Sequence, residues 1–137
     1  MAHKDKQLLL QDLTGRLPYN VIVQVNDGLK GTYDSQLVQV FCDRVSCSVN
    51  VRNPLEECVC IDSVKPYLRP LSSMTEEEII EFNNIPSTKN YTIIENDLPW
   101  DVAHYKQITW LNKKMFDYRG LIPNGLALEA PEDMYKT

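Results

Sequence analysis

Four cysteines are the side chains of this 137-residue sequence with the clearest potential for metal or redox chemistry. On a β-strand, Cys58 and Cys60 would place both thiols on one face, about 7 Å apart. Cys47 could lie on a neighbouring strand, and Cys42 precedes a predicted turn. The Cys-x-x-Cys spacing that wraps a turn around zinc is absent from the sequence. We therefore expect reduced, partly buried thiols and assign no metal, with a structural zinc site or a regulatory disulfide as the alternatives.

Acid–base catalysis is the second possible chemistry, and it depends on His104. This histidine lies in the middle of the apolar arc of a predicted helix, one turn after Asp101. It could act as a base paired with a cysteine or a tyrosine, but a buried or interface histidine is the commoner case. The sequence contains no Gly-rich phosphate loop, no Gly-x-Ser-x-Gly and no His-Glu-x-x-His. We therefore assign no catalytic residue and no cofactor.

An aromatic ring within a local basic cluster is the strongest sign of a binding surface. Trp110 lies off the main apolar arc of its helix, and Lys106, Lys113 and Lys114 are its i−4, i+3 and i+4 neighbours. A rigid aromatic side chain ringed by cations suits a protein partner or a nucleic-acid strand. The alternative is that Trp110 packs on the N-terminal sheet while the lysine stems cover its edges.

These side chains must be positioned by two different kinds of structure, and the first half predicts one helix followed by strands. Leu8 to Leu13 have helical spacing, which predicts a helix over residues 4–14, with Gly15 as its C-terminal stop. Residues 21–25 predict the first strand, and residues 37–51 predict a hairpin with one solvated face. Cys58 to Ile61 predict another short strand. Short strands separated by tight turns favour a small antiparallel sheet or an SH3-like barrel.

The second half predicts mainly helices. Capping-box spacing at Ser73 to Glu78 predicts a helix over residues 74–83, with Ile79, Ile80 and Phe82 as its apolar contribution and the glutamates as a solvated helix start. Residues 91–94 predict a further strand, and residues 99–117 predict the longest helix, with Gly120 as its stop. Residues 129–137 predict a mostly exposed acidic tail.

The predicted fold class is therefore α+β, with a short N-terminal helix, a small antiparallel sheet or SH3-like barrel, and then C-terminal helices with one further strand. Prolines define a connector at 65–73, between an N-terminal unit over 1–64 and an acidic helical half over 74–137. We expect the two halves to pack as one domain.

Charge and hydropathy narrow the classes of function. The net charge is −5, and residues 72–137 hold eleven acidic against six basic residues, which disfavours broad phosphate binding. No apolar run approaches the length of about 18 residues that a membrane span requires. The apolar stretch after Met1 is too short for a signal-peptide core. We expect a cytoplasmic protein without membrane contact.

Three stretches resemble segments of small uncharacterised proteins encoded by phages and prophages of gut Bacteroides-type bacteria. They are Lys65-Pro66-Tyr67-Leu68-Arg69-Pro70-Leu71-Ser72-Ser73-Met74-Thr75-Glu76-Glu77-Glu78, the C-terminal run that comprises Trp110-Leu111-Asn112, Phe116-Asp117-Tyr118-Arg119-Gly120-Leu121-Ile122 and Gly125-Leu126-Ala127-Leu128-Glu129-Ala130-Pro131, and Arg16-Leu17-Pro18-Tyr19 after the Leu-rich helix. The resemblance implies a bacterial cytoplasm and a role in phage–host conflict or phage gene management. It implies no activity, and Met115 stands where that group often has a histidine.

These observations favour a non-enzymatic interaction module that binds a bacterial protein. The expected contacts are the cluster around Trp110 and a second region formed by Tyr67, Arg69, Tyr118 and Arg119. Nucleic-acid binding through the β half is the first alternative, although its strand faces hold few aromatic side chains. A small enzyme using His104 with a cysteine is the second.

Overall fold

Three helices and six strands form the regular structure of residues 3–29, 31–42, 47–52, 56–85 and 105–135, which the computed structural model describes. The helices are α1 (His3–Arg16), α2 (Glu76–Asn83) and α3 (Tyr105–Lys113). The strands are β1 (Ile22–Asn26), β2 (Thr32–Cys42), β3 (Cys47–Arg52), β4 (Glu56–Cys60), β5 (Val64–Leu68) and β6 (Leu128–Glu129). The predicted α+β class is confirmed.

The strands form one sheet in the order β4-β3-β2-β1-β5-β6. Pairs among β1 to β5 are antiparallel, and β6 runs parallel to β5. The predicted hairpin is confirmed as β2 and β3, in which Cys42 is the register partner of Cys47. Residues 65–68 of the predicted connector are extended, as expected from Pro66 and Pro70, and together with Val64 they form β5 in the sheet.

The SH3-like barrel alternative is wrong, because the described strands form an open sheet that ends at β4 on one side and β6 on the other. A barrel buries its apolar face by curling the sheet on itself. Here helix α1 covers that face instead, through Leu9 and Leu13, both fully buried. The residues packed with them are Val21, Val23, Val25, Leu37, Val49, Val51, Ile61, Val64 and Met115.

Helix α1 is longer than predicted because Gly15 lies inside it rather than beyond its end. A Cβ atom at Gly15 would stand 3.2 Å from the side-chain nitrogen of Asn112. The glycine therefore allows α3 to approach α1 closely. The chain leaves the helix at Leu17 and Pro18 in a short 3-10 turn.

Helix α3 ends earlier than predicted, at Lys113, and Gly120 is not its stop. The amide of Phe116 donates to the carbonyl of Leu111 at 3.0 Å, and the amide of Met115 donates to Asn112 at 3.1 Å. This is the Schellman arrangement, with Met115 at a φ of 64° where glycine is usual. Met115 is buried against the N-terminal core, which accounts for a bulky side chain there.

The C-terminal segment is only partly the exposed tail that was predicted. Tyr135 is half-buried, and its hydroxyl accepts from the amide of Ile22 at 3.0 Å and donates to the carbonyl of Tyr67 at 2.8 Å. This hydroxyl bridges β1 and β5 just beyond their last paired residues, Val23 and Pro66. The predicted strand at 91–94, the start of the helix predicted at 99–117, and His104 lie outside the described residues.

Candidate protein-interaction surface

Helix α2 begins with a complete capping box, as predicted. The Thr75 hydroxyl accepts from the amide of Glu78 at 3.2 Å, and the Glu78 carboxylate accepts from the amide of Thr75 at 3.1 Å. Glu76, Glu77 and Glu78 all lie in the first turn, where the helix dipole favours negative charge. The start of α2 is therefore well determined by local sequence alone.

An ion pair attaches the inner side of α2 to the end of β5. Arg69 makes two parallel hydrogen bonds to Glu78, at 2.7 Å and 2.8 Å, which is the strong bidentate geometry. The hydrogen bond from Arg69, opposed in part by burial, lowers the pKa of Glu78 to about 2. The guanidinium also lies over the ring of Phe116, 4.2 Å from its centroid. Arg69, a predicted contact residue, therefore has its charge engaged within the chain.

Trp110 supplies the second attachment of α2. Its indole nitrogen donates to the carboxylate of Glu81 at 2.9 Å, and its ring centroid lies 5.5 Å from that of Phe82. On the other side it stacks with Phe116 at 5.7 Å and an interplanar angle of 19°. Trp110 thus packs between α2 and Phe116, a position that neither interpretation of the sequence described.

Helix α2 turns two carboxylates inward and two isoleucines outward, which is the reverse of an ordinary surface helix. Its inner contacts come from Glu78, Glu81 and Phe82, which are spaced i, i+3 and i+4 and so share one side. No residue of α2 is buried. Ile79 is 44% exposed and Ile80 is 61% exposed, so the expectation that both isoleucines add to the apolar core is wrong.

We call the outward side of this helix the outer face of α2, defined as Glu76, Ile79, Ile80 and Asn83. These four residues have the spacing i, i+3, i+4 and i+7, which places them in one row. In the turn that leads to α2, Leu71 is a further large apolar side chain exposed to solvent. Exposed isoleucines combined with inward carboxylates are the reverse of the usual distribution.

A groove of about 820 Å³ lies beside α2. Its walls come from the segment after β5, the first turn of α2, the end of α3 and the C-terminal segment. The lining residues are Arg69, Pro70, Ser73, Thr75, Glu77, Glu78, Lys113, Lys114, Glu129, Ala130, Pro131, Glu132 and Tyr135. The groove therefore combines three of the predicted contact residues, Arg69, Lys113 and Lys114, with several carboxylates.

The lysines of the predicted cluster differ in their surroundings. Lys106 and Lys113 are exposed, whereas Lys114 is half-buried in the groove lining. Trp110 is itself half-buried, with Phe82 and Phe116 as its ring neighbours. Trp110 is therefore a packed ring, with the lysines of the predicted cluster near it in sequence.

Tyr118 and Arg119 belong to a buried charge network instead of the groove lining. Arg119 donates to the Asp12 carboxylate at 3.0 Å and lies over the Tyr118 ring, 4.8 Å from its centroid. Arg16 makes a bidentate pair with the same carboxylate and also donates to the carbonyl of Phe116. Asp12 and Arg16 are completely buried. This network joins α1 to the segment after α3.

Tyr67 lies apart from the other predicted contact residues, on the sheet. Its hydroxyl donates to Asp34 at 2.7 Å and accepts from the side chain of Gln24 at 3.2 Å. Burial, followed by the hydrogen bond to Asp34, raises the pKa of Tyr67. The predicted second contact region is thus divided among the sheet, the groove and the buried network.

The structure describes the side chains of two cysteines, Cys58 and Cys60, and both are more exposed than the partly buried thiols that the sequence predicted. Cys58 and Cys60 are free and exposed on β4, and their register partners on β3 are Asn50 and Ser48, so Cys47 is opposite neither. Among the described residues, no group of three or more cysteine, histidine or carboxylate side chains could hold a metal ion. No helix in the described ranges is both long and apolar enough to cross a membrane.

Comparison with known proteins gives no match to a family model, to a curated protein or to a solved structure. Sequence reasoning did not identify Ile79 and Ile80 as an exposed surface, and it missed the contacts of Asp12, Arg16 and Tyr135. The i, i+4 spacing of Asp12 and Arg16 was the available signal for their ion pair, but the helix predicted over residues 4–14 ended before Arg16. Nothing in the local sequence indicated that Tyr135 would reach the sheet.

Proposed function

We propose that this protein is a non-enzymatic interaction module that binds a bacterial protein through the outer face of α2. The observation that carries the proposal is the exposure of Ile79 and Ile80 on a helix whose carboxylates and Phe82 face inward. Large apolar side chains displayed in this way are typical of protein contact sites.

The free energy available from the two isoleucines supplies only part of what a stable complex requires. Complete burial of an isoleucine side chain contributes roughly 1.5–3 kcal/mol. About half of each side chain is already covered, so a partner that buries both could gain on the order of 2 kcal/mol from this pair. The isoleucines therefore have the properties of a small anchor, to which contacts at the rim must add.

Helix α2 is also held in one orientation before any partner arrives. The capping box, the Arg69 ion pair and the Trp110 hydrogen bond fix its start, middle and end. A binding element that is already ordered loses less conformational entropy on association than a flexible one. In this proposal Trp110 and Arg69 hold the binding helix in place.

The biological setting rests on the sequence resemblance. The segments shared with proteins of Bacteroides-type phages and prophages support a mobile-element gene and a bacterial cytoplasm. A bacterial protein is then the natural class of partner. The role that follows is interference with, or recruitment of, a host component during phage development.

The test is affinity capture from an extract of a gut Bacteroides-type bacterium, treated with nuclease so that nucleic acid cannot bridge proteins. The tagged wild-type chain is compared with Ile79→Ser/Ile80→Ser, which alters the outer face of α2. Serine and isoleucine differ little in helix propensity, so α2 should persist. The matched control is Leu29→Ser/Phe41→Ser, which removes two exposed apolar side chains elsewhere.

We expect a bacterial protein that the wild type and the control capture and that the α2 variant does not. Equal capture by all three chains, or loss only with the control, would show that the outer face of α2 is not the binding surface. Circular dichroism of the variants establishes that they remain folded.

A further inference from the structure

We propose that the partner presents an apolar groove bordered by basic side chains, which receives the outer face of α2. This inference rests on the proposed function and adds the chemistry of the partner. The mode of recognition is that of a helix that lays its apolar side chains into a groove, with Ile79 and Ile80 as the two anchors.

The charges of α2 indicate the sign of the charge that its partner should carry. The helix sequence EEEIIEFN contains four glutamates and no basic residue. Two of the carboxylates are used internally, Glu78 by Arg69 and Glu81 by Trp110. Glu76 and Glu77 are exposed, and no ion pair joins either of them to another described residue. These two carboxylates are available to an incoming cation.

The positions of these carboxylates relative to the isoleucines make one composite surface. Ile80 follows Glu76 by four residues and Glu77 by three, so both carboxylates border it one turn towards the helix start. A partner that buries Ile80 must therefore also approach the two charges. Basic groups at the rim of its groove would satisfy them, whereas acidic groups there would oppose binding.

A second copy of this chain is a poor occupant for the same reason. A symmetric dimer places the same patch on both sides of the interface. Two outer faces of α2 brought together would place Glu76 and Glu77 of both copies in one interface, where the helix offers no basic residue to neutralise them, in a chain of net charge −5. Self-association through this face is therefore disfavoured by like-charge repulsion.

Two model peptides test the partner's chemistry on the full-length protein. Both are antiparallel helical hairpins whose leucines line a groove between the two helices, and the positions that border this groove are lysine in one peptide and glutamate in the other. Fluorescence anisotropy gives the Kd at low and at moderate salt. We expect the lysine peptide to bind and the glutamate peptide not to bind.

Variants locate that binding and separate it from unspecific attraction to an acidic protein. Ile79→Ser/Ile80→Ser should raise the Kd by about tenfold or more. Glu76→Gln/Glu77→Gln should raise it by about threefold and reduce its salt dependence. Glu129→Gln/Glu132→Gln removes the same charge from the part of the groove lining that the C-terminal segment contributes, and it should have little effect. Equal effects of the two charge variants, or no effect of the isoleucine variant, would overturn the inference.

The outcomes also distinguish this inference from the proposed function. If capture from the extract depends on Ile79 and Ile80 but the lysine peptide shows no preference for that face, the interaction module stands and the basic partner is wrong. If capture does not depend on the isoleucines, the proposed function itself is wrong.

Discussion

Arg69 and Glu78 form a bidentate ion pair that sets the orientation of α2. Besides this pair and its contact with Phe116, Arg69 links two chain segments through its backbone. Its amide donates to the carbonyl of Met115 at 2.7 Å, and its carbonyl accepts from the amide of Asp117 at 2.8 Å. One residue therefore connects the end of β5, the helix α2 and the segment after α3.

The Glu78 ion pair predicts a specific dependence of stability on pH. The pKa of this carboxyl falls from 4.5 to about 2 on folding. Its contribution is therefore complete above about pH 5 and is lost as the pH falls from 4.5 towards 2. Glu78→Gln keeps the capping hydrogen bond but removes the charge, and we expect it to cost about 1 kcal/mol at pH 7 after allowance for solvent screening. Urea unfolding at pH 7, 4 and 3 measures this cost.

The difference in free energy of unfolding between the wild type and Glu78→Gln should shrink at each lower pH. If this difference is the same at pH 7 and at pH 3, Arg69 does not stabilise the charged form of Glu78 in the folded protein.

The buried pair of Asp12 and Arg16 predicts a much larger loss. Asp12→Asn leaves the guanidinium of Arg16 buried without its carboxylate. Removing one partner of a buried ion pair typically lowers the free energy of unfolding by about 3–5 kcal/mol. The matched control is Asp62→Asn, since Asp62 pairs with Lys6 at 3.5 Å on the surface. We expect that control to change stability by less than about 1 kcal/mol. Chemical denaturation of both variants measures the contrast, and comparable losses would contradict it.

The hydroxyl of Tyr135 should stabilise the fold by bridging β1 and β5. Tyr135→Phe removes its hydrogen bonds to Ile22 and Tyr67 and should cost about 1–2 kcal/mol. Tyr19→Phe is a suitable control, because Tyr19 is half-buried against the same core. Burial raises the pKa of Tyr135, so its phenol should resist alkaline titration until the protein unfolds. Equal thermal midpoints for both variants would contradict this role.

Local sequence predicted the elements of this fold better than it predicted their partners. The capping box at Thr75 and the β2–β3 hairpin depend on neighbouring residues, and both are found. The placement of Tyr135 against Ile22 joins positions 113 residues apart, for which no local signal exists.

The site was harder to predict for a related reason. The expectation that Ile79, Ile80 and Phe82 act together assumed that apolar residues decide which side of a short helix is buried. In α2 that choice is made by Arg69, which lies before the helix, and by Trp110, which lies 29 residues after Glu81. The pattern of apolar residues within the eight residues of α2 includes neither Arg69 nor Trp110, so it could not predict these two contacts.

The hydrogen bond from Trp110 to Glu81 should stabilise α2 without affecting the stability of the sheet. Trp110→Phe keeps an aromatic ring but removes the hydrogen bond to Glu81, which should cost about 1 kcal/mol. The amides of α2 should then exchange with deuterium faster than in the wild type, while those of β1 and β2 are unchanged. Hydrogen exchange followed by mass spectrometry resolves these segments. Unchanged exchange in α2 would show that this hydrogen bond does not hold the helix.

The central claim is that Ile79 and Ile80 are exposed in the free protein and covered by the partner. Its most direct test is the paramagnetic relaxation enhancement of isoleucine methyl groups by a soluble paramagnetic agent, measured by NMR. It is made on the free protein and on the protein saturated with its captured partner, with the buried Ile61 as the internal reference. The account predicts that the methyls of Ile79 and Ile80 relax much faster than that of Ile61 in the free protein, and that they become protected in the complex. Methyls that are as protected as Ile61 before the partner is added, or that stay accessible after it binds, would contradict the account.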